Sequence, residues 1–228
     1  MNRTLNVVRM QLNNRQTFIW LPLIILGAAF AVNWIIWSLI PVDEPKFGGG
    51  AQAPLWYFLV VGIQALTLTF PFSQAMSVTR REFFLGTILT AGLTSAILSG
   101  VFIAGGFVET ATGGWGVNGY FFSFPWIWEF GAGGAALFYL VLALLFFVIG
   151  LWSAIVFKRF GALWLTVSLV VLGLLLVGGV WLITQWALWG SVFTWFATTG
   201  VVILSLWGLL LTAVLGMLCF ATFRRMTP

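Results

Sequence analysis

Apolar residues in this chain come in six long runs, and the short stretches between and beyond them hold every charge. The runs are residues 18–40, 55–76, 86–108, 135–157, 162–182 and 199–223. Each is rich in Leu, Val, Ile, Phe and Trp and contains no Asp, Glu, Lys or Arg. A hydrocarbon core about 30 Å thick takes roughly 20 residues of helix to cross. A charge at a helix centre costs about 2.5–3.5 kcal/mol on insertion, so its absence from all six runs matters. The pattern predicts an all-α polytopic membrane protein with six transmembrane helices. Residues 185–196 read as interfacial, with Trp186, Trp189 and Trp195 suited to an aromatic belt. The first run is a full span, longer than the roughly 7–15 residues of a signal-peptide core, so no cleavable leader is expected.

The charges sort by gap. Arg3, Arg9, Arg15, Arg80, Arg81, Lys158, Arg159, Arg224 and Arg225 fall in one set of gaps. Asp43, Glu44, Lys46, Glu109 and Glu129 fall in the other, and only Glu82 breaks the division. Lys and Arg near span ends are retained in the cytoplasm, so the division predicts both termini on that side. With 61% hydrophobic and 7% charged residues, the net charge of +5 speaks for topology and for anionic headgroups, not for nucleic acid. Histidine is absent and Cys219 is the only cysteine. Disulfide frameworks, Cys/His zinc sites, His-ligated haem and Ser-His or Cys-His catalysis are thereby excluded. Cys219 reads as a small packing residue.

Residues 1–17 read as an amphipathic helix lying in the cytoplasmic interface, or as a disordered basic leader that only sets topology. Leu5, Val8 and Leu12 share one face, and Arg3, Asn6, Arg9 and Asn13 another. The third and sixth runs carry small residues at every fourth position: Gly92, Ala96, Gly100 and Ala104, then Gly208, Thr212 and Gly216. Such stripes let helix backbones approach closely in lipid. They fit packing within the bundle, or an interface between subunits.

Between the second and third runs, Thr79 and Glu82 have the spacing of a capping box. It predicts a separate helix of about two turns over 77–85, presenting Arg80, Arg81 and Glu82 to a partner with Phe83 and Phe84 as apolar anchors. Inside the second run Gln64, Thr67 and Gln74 recur at helical spacing with Pro71 among them. They serve either interhelical hydrogen bonds or a pathway lining, the helix being loosened at Pro71. The external stretch 109–130 mixes glycines with Trp115, Tyr120, Phe121 and Phe122. These aromatics read as interface anchors or as an external gate. Glu109 and Glu129 bracket the stretch and either face each other across its base or are solvated.

The run Thr79-Arg-Arg-Glu-Phe-Phe-Leu-Gly-Thr87, after the second of six spans and behind an amphipathic N-terminal helix, resembles the permease subunits of ABC-2 type exporters. The stretch Gly113-Gly-Trp-Gly-Val-Asn-Gly-Tyr-Phe-Phe122 is similar to the loop between spans three and four in small permeases of this type from high-GC Gram-positive bacteria. The resemblance implies a plasma-membrane exporter subunit, with 77–85 as the coupling helix that docks on a separate cytosolic ABC ATPase. Many members place their large external segment between spans five and six, a connection that is short here. The sequence agrees on one point: no G-x-x-x-x-G-K-[ST] loop is present, so ATP and Mg would be bound by the partner and no cofactor by this chain. Six spans favour a homodimer, or a pair with a related permease. Catalysis is not expected of this chain. The rival reading is a membrane scaffold that binds a cytosolic partner and transports nothing.

Overall fold

All six apolar runs are carried by helices long and apolar enough to cross a membrane in the computed structural model, which describes residues 3–42 and 44–225. Asn2, near the start of the expected amphipathic segment, and Asp43, one of the acidic markers, lie outside these residues. In chain order the helices are α1 (Arg3–Asn13), α2 (Leu21–Leu39), α3 (Ala53–Thr67), α4 (Thr69–Ala75) and α5 (Arg80–Ala111). There follow α6 (Pro125–Trp128), α7 (Gly131–Phe160), α8 (Ala162–Gln185), α9 (Trp189–Thr198) and α10 (Val201–Phe223). A π-helical turn, Gln16–Trp20, leads into α2, and a 3-10 turn, Gly49–Gln52, leads into α3. Two short parallel strands, β1 (Lys46–Phe47) and β2 (Gly119–Tyr120), tie the connection between the first two spans to that between the third and fourth.

α7 is the hub, packed against α3, α5 and α10. Its inward face repeats every three or four residues through Ala135, Tyr139, Ala143, Phe147, Leu151 and Ala154, all buried. α3 crosses it at closest range where glycine meets backbone. A Cβ on Gly62 would overlap the Phe147 carbonyl, and one on Gly150 would overlap the Leu59 carbonyl. The second span is broken into α3 and α4 at Leu68. Pro71 explains the break: it has no N–H for the Thr67 carbonyl, and its ring crowds that carbonyl.

α5 differs from expectation. The segment 77–85 is not a separate helix, because α5 runs unbroken from Arg80 to Ala111. No proline interrupts it, and Gly86 alone weakens a helix by only about 1 kcal/mol relative to Ala. Gly86 is instead where α1 approaches: a Cβ there would press on Val7 and on the Thr4 carbonyl. Val7, Val8 and Gln11 of α1 are buried.

The small-residue stripes divide. Ala96, Gly100 and Ala104 of α5 are exposed, and a Cβ on Gly92 or Gly100 would meet nothing within 4 Å. That stripe does not pack within the chain. On α10, Gly208 lies against Val141 of α7 and Thr212 is buried, while Gly216 is open. α8 and α9 bury no residue at all. An apolar helix exposed all round has lipid or a further protein as its natural neighbour.

The two ends of the bundle differ in charge. At one, side-chain cations reach the C-terminal carbonyls of helices, where the helix dipole favours them. Arg159 donates to the Thr222 carbonyl at 2.9 Å, Lys158 to Leu66 at 3.4 Å, and Arg80 to Arg224 at 3.2 Å. At the other end the Lys46 ammonium caps α2, donating to the carbonyls of Trp37 (3.0 Å) and Ile40 (2.9 Å).

Candidate functional site

The most constrained site lies at the end opposite the arginines, where the last turn of α5 meets the stretch 113–123. Glu109 is completely buried. Its carboxylate accepts from the Trp115 indole N–H (2.8 Å), the backbone N–H of Phe121 (2.7 Å) and that of Phe122 (3.1 Å). Ser123 adds its backbone N–H (2.7 Å) and its hydroxyl (2.6 Å). All of these donors are neutral. A buried charge is tolerable only when its lone pairs are engaged, and charge-assisted bonds of this kind are the strong ones. The loop can present three consecutive amides to one carboxylate because the chain before them reverses through left-handed residues. Gly113, Gly114, Trp115, Gly116 and Asn118 all have positive φ, from 53° to 77°. Glycine adopts this region freely and asparagine more readily than most; Trp115 is held there by its own bond to Glu109 and by its rings.

Aromatic packing fixes the loop to the bundle. Phe30 of α2 meets Trp115, Phe121 and Phe122 at centroid distances of 4.6, 5.5 and 5.8 Å. Phe102 of α5 meets Phe122 at 5.5 Å. The Phe122 carbonyl accepts from Trp128 (3.1 Å) and from the Tyr139 hydroxyl of α7 (2.9 Å). Trp37 lies so close to Gly119 that a Cβ there would overlap its ring. Glu109 and the loop thus form a cap over the ends of α2, α5 and α7. Phe121 and Phe122 are interior and Trp115 is half-buried, so these three are not lipid-interface anchors; Tyr120, also half-buried, stacks on Phe47 at 5.6 Å. Glu109 does not face Glu129, which is exposed.

At the basic end the capping box is present. Thr79 Oγ1 accepts from the Glu82 backbone N–H at 3.3 Å, and the Glu82 carboxylate accepts from the Thr79 backbone N–H at 2.9 Å. Arg81 is exposed and Arg80 half-buried. Phe83 and Phe84 do not project as anchors for a partner. They are buried in a cluster with Phe70, Phe220 and Phe223, Phe83 to Phe70 at 5.1 Å and Phe84 to Phe220 at 5.2 Å. On a helix that continues into the bundle, the fourth and fifth residues of its first turns face the core rather than solvent.

Gln64, Thr67 and Gln74 do not share one helix. Gln64 and Thr67 are half-buried on α3, Thr67 donating to the Ile63 carbonyl (3.0 Å), while Gln74 is exposed on α4 beyond the break. A buried polar contact unforeseen in the sequence lies nearby. Gln11 of α1, fully buried, donates to Thr87 (3.0 Å) and Thr69 (3.3 Å), and its carbonyl oxygen has no partner. The available signal was its position: it lies three and four residues after Val8 and Val7, on the face that α1 buries. Among the described residues no three His, Cys, Asp or Glu side chains gather to hold a metal ion. Comparison with protein-family models, curated proteins and solved structures finds no match to this chain.

Proposed function

We propose that the chain is the permease subunit of an ATP-driven ABC-2 type exporter in a bacterial plasma membrane. Both termini are cytoplasmic, and the subunit works as a homodimer or with a related permease. A separate cytosolic ABC ATPase binds ATP and Mg. The observation that carries this reading is the continuity of α5. One 32-residue helix, roughly 48 Å long at 1.5 Å per residue, has the capped Thr79–Glu82 turn at one end and the Glu109 cap at the other. Arg80 and Arg81 stand at the end where a cytosolic partner would dock. Closure of the ATPases displaces that end, α5 transmits the shift, and the amides around Glu109 lose their common acceptor. An apolar or amphipathic substrate then leaves outward. Gln64, Thr67 and Gln74 flank the break in the second span and give its path a polar lining once the Pro71 break opens.

Affinity capture of the full chain from its native membrane tests the proposal, with mass spectrometry of what accompanies it. An ATPase bearing a phosphate-binding loop should be recovered with the parent chain and lost with Arg80→Glu/Arg81→Glu. Recovery of the folded chain without such an ATPase favours the scaffold reading. So does an ATPase that is captured but whose turnover responds to no amphipathic compound.

A further inference from the structure

We infer that an apolar groove between α5 and α10 binds one acyl chain of an anionic phospholipid from the leaflet at the basic end, with the Arg81 guanidinium on its phosphate. The groove holds about 550 Å³, within the range of about 300–1,000 Å³ usual for ligand sites. Leu85 and Ile88 of α5 and Gly216 and Phe220 of α10 form its walls, and Val148 of α7 its floor. Two lining residues are polar, Arg81 and Thr212. The Thr212 hydroxyl already donates to the Gly208 carbonyl at 2.7 Å, which leaves hydrocarbon as the natural content.

Length and charge identify the occupant. The groove's α10 wall extends from Leu209 to Phe220, roughly 17 Å at 1.5 Å per residue. That is close to half of a hydrocarbon core about 30 Å thick, the depth of one leaflet. Arg81 closes the end nearest the basic cluster, and it makes no hydrogen bond or ion pair among the described residues. It also sits in the first turn of α5, where the helix dipole disfavours a cation unless an anion is near. Among the described residues no acid forms an ion pair with Arg81. Glu82 is the only acid in the sequence gaps on that side, and its carboxylate is held by the Thr79 amide and hydroxyl. A second copy of this chain, inserted in the same orientation, would bring further arginines to the same depth rather than a counter-charge. A phosphate headgroup supplies the anion and its tail the apolar content.

The inference does not depend on the exporter reading, and its test needs no ATPase. The purified full chain in detergent is titrated with phosphatidylglycerol, phosphatidylcholine of the same chains, or inorganic phosphate, and bound species are counted by native mass spectrometry. Phosphatidylglycerol should bind in preference to phosphatidylcholine, and inorganic phosphate alone should not bind. Arg81→Gln should weaken the phosphatidylglycerol complex roughly fivefold or more. Gly216→Leu fills open space and should weaken both lipids together, which a purely electrostatic surface contact would not show. Equal retention of the two lipids by the parent chain overturns the inference. So does undiminished phosphatidylglycerol binding by Arg81→Gln or by Gly216→Leu, each checked for a parental unfolding temperature.

Discussion

Glu109 has exchanged water for neutral donors that come from three consecutive backbone amides, one indole and one hydroxyl. No neutral side chain reproduces that. In Glu109→Gln the amide nitrogen must face at least one N–H donor, and the remaining bonds lose their charge assistance. Bonds to charged groups contribute about 1.5–3 kcal/mol each, so the loss is about 3 kcal/mol or more. Exchange of the Phe121–Ser123 amides should then accelerate by at least two orders of magnitude, measured by hydrogen–deuterium exchange; unchanged protection would show that the carboxylate does not hold the loop. The sequence marks Glu109 as one end of a glycine- and aromatic-rich stretch, but a carboxylate at a helix end reads the same whether solvated or buried. What separates them is the left-handed run 113–118 that folds three amides onto it, and that is visible only in three dimensions. Phe83 and Phe84 teach the converse. Beside two arginines they look like docking anchors, yet they complete a five-ring cluster, and Phe83→Ala should destabilise the fold by about 3–5 kcal/mol. A drop in unfolding temperature with Phe83→Ala, alongside near-parental stability for Arg81→Gln, would confirm the division of roles.

At the scale of elements, six helices were legible because apolar length is a coarse signal, and the Thr79–Glu82 capping box because its spacing is local. The join between the capped turn and the third span was not legible, since Gly86 has the look of a boundary. Tertiary contact with Val7 makes it part of a longer helix. Thr79→Ala removes a cap worth about 1 kcal/mol, so amide exchange over Arg80–Leu85 should rise roughly fivefold, and Thr79→Ser should restore it. Equal exchange in all three would mean that packing alone holds the first turn. The small-residue stripes misled for a related reason. A four-residue repeat of Gly and Ala permits close approach without naming the neighbour, and the tightest crossing uses Gly62 and Gly150, which lie outside both stripes. Gly62→Ala and Gly150→Ala should each force α3 and α7 apart and lower the unfolding temperature sharply. Gly92→Ala and Gly100→Ala should leave it unchanged or raise it slightly in the isolated chain, Ala being the better helix former, so a loss for the latter pair in the assembled protein would mean that α5 packs on another subunit.

Across the whole molecule, the division of basic and acidic gaps corresponds to two structural ends of different character. One carries arginines on helix termini and the capped start of α5. The other is closed by aromatic rings around the buried Glu109 carboxylate. α5 spans the distance between them without a break, whereas the second span is interrupted at Leu68. A rigid rod passes displacement from end to end, and a broken helix absorbs it. The account therefore stands on transmission through α5, and the direct measurement is hydrogen–deuterium exchange of the Phe121–Ser123 amides in the complex with the proposed ATPase. Exchange should be slow without nucleotide and quicken when a non-hydrolysable ATP analogue closes the ATPases, with no response in Arg80→Glu/Arg81→Glu. Identical exchange in both nucleotide states, in a complex that hydrolyses ATP, would contradict it.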